Sequence, residues 1–167
     1  MFDLASLRHA AQTIRPLVPP TPQYAWPRLA ERLGCEVWVK HENHAPTGAF
    51  KIRGGLLYVQ GLLKRKPDVT GLVTATRGNH GQSLATAARN AGLPIIIVVP
   101  LGNSQEKNAA MRAMGAQLIE YGQDFDEARI EAARQAEMQG YESVPAFHPD
   151  LILRSEEHTS ELQSPVL

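Results

Sequence analysis

Five β-branched residues in a row, Ile95-Ile96-Ile97-Val98-Val99, closed by Pro100, constrain this chain more than any other feature. Such a run offers water no polar face. It suits a central strand of a parallel sheet covered on both sides. Helix and strand signals alternate around it. Residues 71–74 and 117–120 read as further strands. Residues 80–91, 104–114 and 125–139 read as helices; Gly92 ends the first, Ser104 caps the second and Asp124 the third. The cap at Ser104 is plain rather than a capping box, because Lys107 stands where a glutamate would reach back. Short links between alternating strands and helices predict an α/β fold, an open parallel sheet with flanking helices and right-handed crossovers.

The N-terminal third is less regular. Leu4, Leu7, Ala11 and Ile14 predict a helix over residues 3–14, and Pro16, Pro19, Pro20 and Pro22 forbid regular structure in the next stretch. A helix is expected over residues 24–33, ended by Gly34, and a strand over 36–40 with Val37 and Val39 on one face. A further helix runs from residue 52 or 53 to 64 and is stopped by Pro67. Cys35, just before a strand, reads as a packed core residue, and a single cysteine excludes an internal disulfide.

With 167 residues the chain can bury a real core, and 43% hydrophobic with 20% charged residues is a soluble globular profile. Lys+Arg and Asp+Glu both number 17, which gives no support for nucleic-acid binding or for an anionic membrane surface. No apolar run approaches the length of a membrane span, and residues 1–6 lack the marks of a signal peptide. A cytoplasmic location is therefore expected. His41 and His44 have a His-x-x-His spacing without a third ligand, so no metal site is expected. Lys64-Arg65-Lys66 reads as a solvated helix end whose cations suit the dipole.

Two glycine-rich segments carry the chemistry. The first, Pro46-Thr47-Gly48-Ala49-Phe50-Lys51-Ile52-Arg53-Gly54-Gly55, boxes a lysine between glycines and apolar residues. A lysine that must lose its proton and act as a nucleophile needs a desolvated pocket, so Lys51 is expected to be buried. The second, Thr76-Arg77-Gly78-Asn79-His80-Gly81-Gln82, comes after a strand and opens a helix. Its glycines allow close backbone approach, and free N–H groups at the helix start favour an anion. Asn79 can read a hydroxyl or phenolate. Taken alone, this segment is also compatible with a tight turn that binds nothing.

Together with Lys40-His41-Glu42-Asn43, the two segments resemble the threonine/serine dehydratase group of pyridoxal phosphate (PLP) enzymes, fold type II. The likeness runs from about residue 21 to 153 in order and spacing, and includes Glu106-Lys107, Gly115-Ala116 and Phe125-Asp126-Glu127-Ala128. It implies a two-domain α/β enzyme with PLP between the domains. Residues 1–51 would begin the large domain, 52–140 form the small domain and 141–153 start the return. By the same resemblance, Lys51 holds PLP as a Schiff base and serves as the base at Cα, Asn79 hydrogen-bonds the PLP 3′-oxygen, and Phe50 packs beside the ring. Thr76, Gly78, Asn79 and His80 would cradle the substrate carboxylate. The implied reaction converts a hydroxy-amino acid to a 2-keto acid and ammonia, in an enzyme whose relatives are usually dimers. Cysteine or cystathionine synthases share the lysine and an asparagine loop and are the runner-up, as is a non-catalytic α/β unit.

Three departures matter. Ala49 replaces a usual serine. Arg77 stands where serine racemases place a serine base, which argues against racemisation; it is either a solvated charge or a contact for a second substrate carboxylate. Residues 154–164, Arg154-Ser155-Glu156-Glu157-His158-Thr159-Ser160-Glu161-Leu162-Gln163-Ser164, look like a translated sequencing adaptor, so 154–167 is expected to be a non-native tail. The glycine loop that holds the PLP phosphate in the dehydratases is not found before it. A polypeptide of this sequence is therefore expected to bind PLP weakly and turn over little.

Overall fold

The computed structural model describes residues 4–148 and Leu151; the expected non-native tail lies outside them. Elements run in the order α1 (Leu4–Ile14), β1 (Gln23–Ala25), α2 (Pro27–Leu33), β2 (Trp38–Lys40), a 3-10 turn (Glu42–His44), α3 (Lys51–Arg65), β3 (Leu72–Ala75), α4 (Asn79–Asn90), β4 (Ile95–Val99), α5 (Gln105–Ala113), β5 (Gln117–Glu120), α6 (Phe125–Gln139) and β6 (Glu142–Ser143). The expected α/β architecture with a parallel sheet and flanking helices is present.

The main sheet has the order β5-β4-β3-β6. β3 pairs with β4, β4 with β5 and β3 with β6, all parallel. Every residue of β4 is buried. Ile95, Ile97 and Val99 face one core with residues of α1, α3, α4 and α5, while Ile96 and Val98 face a second beneath α6. The apolar run is thus covered on both faces, as its composition requires. Caps hold where the side chains supply them. Asp124 accepts from the Glu127 amide at 2.9 Å, and Ser104 from the Lys107 amide at 3.4 Å.

Three local expectations need correction, and one strand is added. The helix expected over 24–33 begins at Pro27 instead, and Gln23–Ala25 is a strand paired antiparallel with β2. Pro27 fits the first helical turn and holds Trp26 extended, at φ −113° and ψ 94°. Cys35 is exposed rather than packed, since it comes after the left-handed Gly34 on the outer side of the turn into β2. The strand over 36–40 shortens to Trp38–Lys40, because its partner among the described residues, β1, is three residues long. The two-residue β6 is an addition: its polar sequence gives no strand signal, yet it completes the far side of β3.

Candidate active site

β3 is flanked by β4 on one side and β6 on the other, so the chain departs and returns around it. In open α/β sheets, ligands bind beyond the carboxyl ends of the strands at such a reversal. Here that place is occupied by Thr76-Arg77-Gly78 and the start of α4. Thr76 continues the ladder, its amide donating to the Val98 carbonyl at 3.0 Å. Its buried hydroxyl accepts from the Gly78 amide at 3.1 Å. The Gly78 N–H is thus already satisfied. The next amides, at the head of α4, have no side-chain cap, which leaves them to an incoming anion.

Side chains crowd both glycines of this turn. A Cβ on Gly81 would lie 2.5 Å from Met111 Sδ and 2.6 Å from Thr76 Cγ2. A Cβ on Gly78 would lie 2.8 Å from Lys107 Cδ and 3.3 Å from its Nζ. The Lys107 stem therefore lies over Gly78 and brings an ammonium to the α4 head. Sequence reading missed this contribution. The available signal was that β4, like β3, delivers its following helix to the same end of the sheet.

Lys51 opens α3, and α3 packs alongside α4. Gly55 faces Ser83, where an added Cβ would fall 3.1 Å from the Ser83 backbone carbon. Further along, Leu56, Val59 and Leu63 share a groove with Ala87 and Ala91. The helices thus run in the same sense, with both N-termini at one end. The Ser83 hydroxyl donates to the Lys51 carbonyl, tying the two heads together.

The expectation that Lys51 is buried is not met: the side chain is exposed. A helical side chain leans toward its own N-terminus, so the first residue of α3 projects off the end of the helix. The apolar neighbours Ile52, Leu56 and Leu57 turn into the core instead of around the lysine. Lys51 Nζ lies 4.8 Å from the centroid of the Phe50 ring. Asn79 and Arg77 are exposed. His80 is largely covered, and its Nε2 is sealed from solvent without a hydrogen-bond partner among the described residues. Burial, then the Lys51 ammonium, lower the His80 pKa to about 4, against a hydrogen bond with the Pro145 backbone. The ring is therefore neutral at pH 7 and carries a free nitrogen. His41 and His44 lie ring to ring at 5.8 Å, and no group of three or more metal-ligating side chains gathers among the described residues.

Comparison with known proteins gives the site its setting. The family described as pyridoxal-phosphate dependent enzyme matches residues 14–162. A threonine dehydratase from Solanum lycopersicum, biosynthetic and chloroplastic, is 36% identical over 134 residues, 80% of this chain and 22% of that protein. A PLP-dependent aspartate racemase superposes with TM-score 0.88 at 27% identity, over 98% of this chain and 52% of that one. Threonine deaminase isoform 2 from Solanum lycopersicum superposes with TM-score 0.78 at 27% identity, over 96% of this chain and 45% of that one. The chain thus spans about a fifth of the curated relative's length and about half of each solved chain. Its sequence and its fold give the same result: the chain belongs to the family of pyridoxal-phosphate dependent enzymes, fold type II.

Proposed function

We propose that this chain carries the lysine half of the active site of a threonine/serine dehydratase-type ammonia-lyase. The observation that carries the reading is the lock between two helix heads. An accessible Lys51 amine stands beside Phe50, and the Ser83 hydroxyl holds the Lys51 backbone carbonyl, joining the head of α3 to α4, whose start is uncapped. This arrangement suits PLP. Lys51 would hold it through its aldehyde, Phe50 would flank its ring, and Asn79 would bond its 3′-oxygen.

The chemistry that bound PLP supplies is an electron sink that acidifies the substrate Cα–H. The residues of this chain do the rest. Lys51 Nζ would hold the cofactor and serve as the base for the Cα proton. Thr76 shapes the turn, while the amides of Asn79 and His80 bind the substrate carboxylate, with Gly78 allowing close approach. Lys107 adds positive charge at the same end. Water is eliminated across Cα–Cβ of a hydroxy-amino acid and taken up again on hydrolysis, so that the net products are a 2-keto acid and ammonia. Arg77, exposed at this turn, occupies the place of a racemase's serine base, which favours elimination over racemisation. Residues 1–51 belong to the large domain and 52–140 to the small one, of a cytoplasmic homodimeric parent.

Reductive trapping tests the reading. The 167-residue chain is treated with excess PLP and borohydride, and labelled lysines are mapped by mass spectrometry. Lys51 is expected to take up the pyridoxyl group ahead of Lys40, Lys64, Lys66 and Lys107. Even labelling of the exposed lysines would sink the assignment.

A further inference from the structure

Resting on that reading, we propose that Glu42 is a positioning residue for Lys51: its grip on Arg53 sets the angle at which α3 presents the amine. No side chain among the described residues caps α3. Its N-cap residue, Phe50, has helical φ and ψ of −62° and −22° and makes no capping bond. Something else must fix the first turn. Arg53, the third residue of the helix, is buried, with its side chain only 4% exposed. Its Nε donates to Glu42 Oε2 at 3.0 Å and its Nη2 to Glu42 Oε1 at 3.2 Å, a bidentate pair.

Glu42 is itself held from the β1–β2 hairpin. Thr21 Oγ1 donates to it at 2.6 Å, and Lys40 Nζ stands 3.3 Å from the same oxygen while donating to Thr21 Oγ1 at 2.6 Å. Two cations and a hydroxyl converge on one carboxylate. Burial alone would raise the Glu42 pKa, but the Arg53 and Thr21 hydrogen bonds and both cations hold it below the usual carboxylate range.

The geometry turns this cluster into an aiming device. Residues two apart on a helix are separated by roughly 200° around its axis. Arg53 is pinned into the hairpin on one side, and Lys51 is exposed on the other. A pin at Arg53 therefore fixes the rotation of the turn that carries Lys51. Ser83 supplies the second grip, on the Lys51 carbonyl. With the Glu42 pin gone, the first turn can rotate or fray about the Ser83 bond, and the amine loses its setting against the α4 head.

The experiment compares Glu42→Gln and Glu42→Ala with the parent sequence in the reductive trapping assay. The readout is the ratio of label at Lys51 to label at Lys64 within the same molecules, alongside thermal unfolding. Glu42→Ala is expected to lower that ratio about tenfold, within the roughly hundredfold that a 1 Å misplacement of a reacting group can cost. Glu42→Gln, which retains one acceptor oxygen, should fall between, with labelling at Lys64 and Lys66 unchanged. An unaltered ratio in Glu42→Ala overturns the proposal. So does loss of the folding transition in both variants, because Glu42 then supports the fold and does not aim the lysine. If the parent chain itself shows no preference for Lys51, the reading of the active site fails, and the role of Glu42 fails with it.

Discussion

The sheet unit and the N-terminal hairpin are stabilised in different ways. In the sheet, Leu72, Val73, Ile97, Val98 and Val99 are wholly buried, and helices cover both faces. Around the hairpin, α2 buries no residue, while Tyr24, Trp26, Leu33 and Trp38 remain exposed. What ties this region to the rest is polar: Thr21, Lys40 and Glu42 gathered onto Arg53. The difference teaches that burial holds α4 and the body of α3, while directional hydrogen bonds through Arg53 add a second hold on the first turn of α3. Burial is tolerant of small shifts, and the hydrogen-bonded pair depends on angle.

The largest test of this contrast is Ile97→Ala, in the middle of the fully buried strand. It should cost about 2–5 kcal/mol in denaturant unfolding, the range for deleting a buried aliphatic side chain. A cost below ~1 kcal/mol would mean the sheet is not the rigid partner. Acid comes next. His80 has a folded pKa lowered from 6.5 to about 4. Above pH 6.5 the ring is neutral in both folded and unfolded chains, and its protonation adds no difference in stability. As pH falls from 6.5 to 4 the unfolded chain gains a proton that the folded one refuses, so stability is lost through that window. The shift corresponds to a loss of up to about 3 kcal/mol, and His80→Gln should flatten the pH dependence of unfolding.

A smaller effect is expected at the seam between helices. In Gly55→Ala the new methyl would meet the Ser83 side chain and crowd its backbone carbonyl carbon at 3.1 Å. The variant should lose about 1–3 kcal/mol by overpacking and release the Lys51 carbonyl, seen as faster amide exchange at the first turn of α3. A neutral outcome would mean that the helices part easily. Smallest of all is Leu33→Ala on exposed α2, expected within about 0.5 kcal/mol of the parent sequence. A larger loss would show that the hairpin region has packing of its own.

Legibility in the sequence divides along the same line. The Ile95–Val99 strand, the Gln117–Glu120 strand and the helix Phe125–Gln139 begin and end where composition and caps place them. Local signals and burial agree there. Gln23–Ala25 and Glu142–Ser143 are strands only because partners lie beside them, and a three- or two-residue strand has no period to read. At the site, the glycines and Lys51 stand out in the chain. The exposure of Lys51, the Lys107 stem over Gly78 and the Glu42–Arg53 pair arise from helices meeting in space. No local pattern encodes those meetings.

The last strand of the sheet also sets a schedule for folding. Thr74 Oγ1 donates to the Val144 carbonyl at 2.8 Å, a contact spanning 70 residues. β4 can add to β3, and β5 to β4, through short crossovers, but the other edge of β3 stays open until β6 arrives. Closing that edge requires the longest loop in the sheet, and loops of this kind slow folding. During synthesis, a nascent chain would therefore hold β3 and the turn over residues 76–78 half-paired until the segment around residue 143 has emerged.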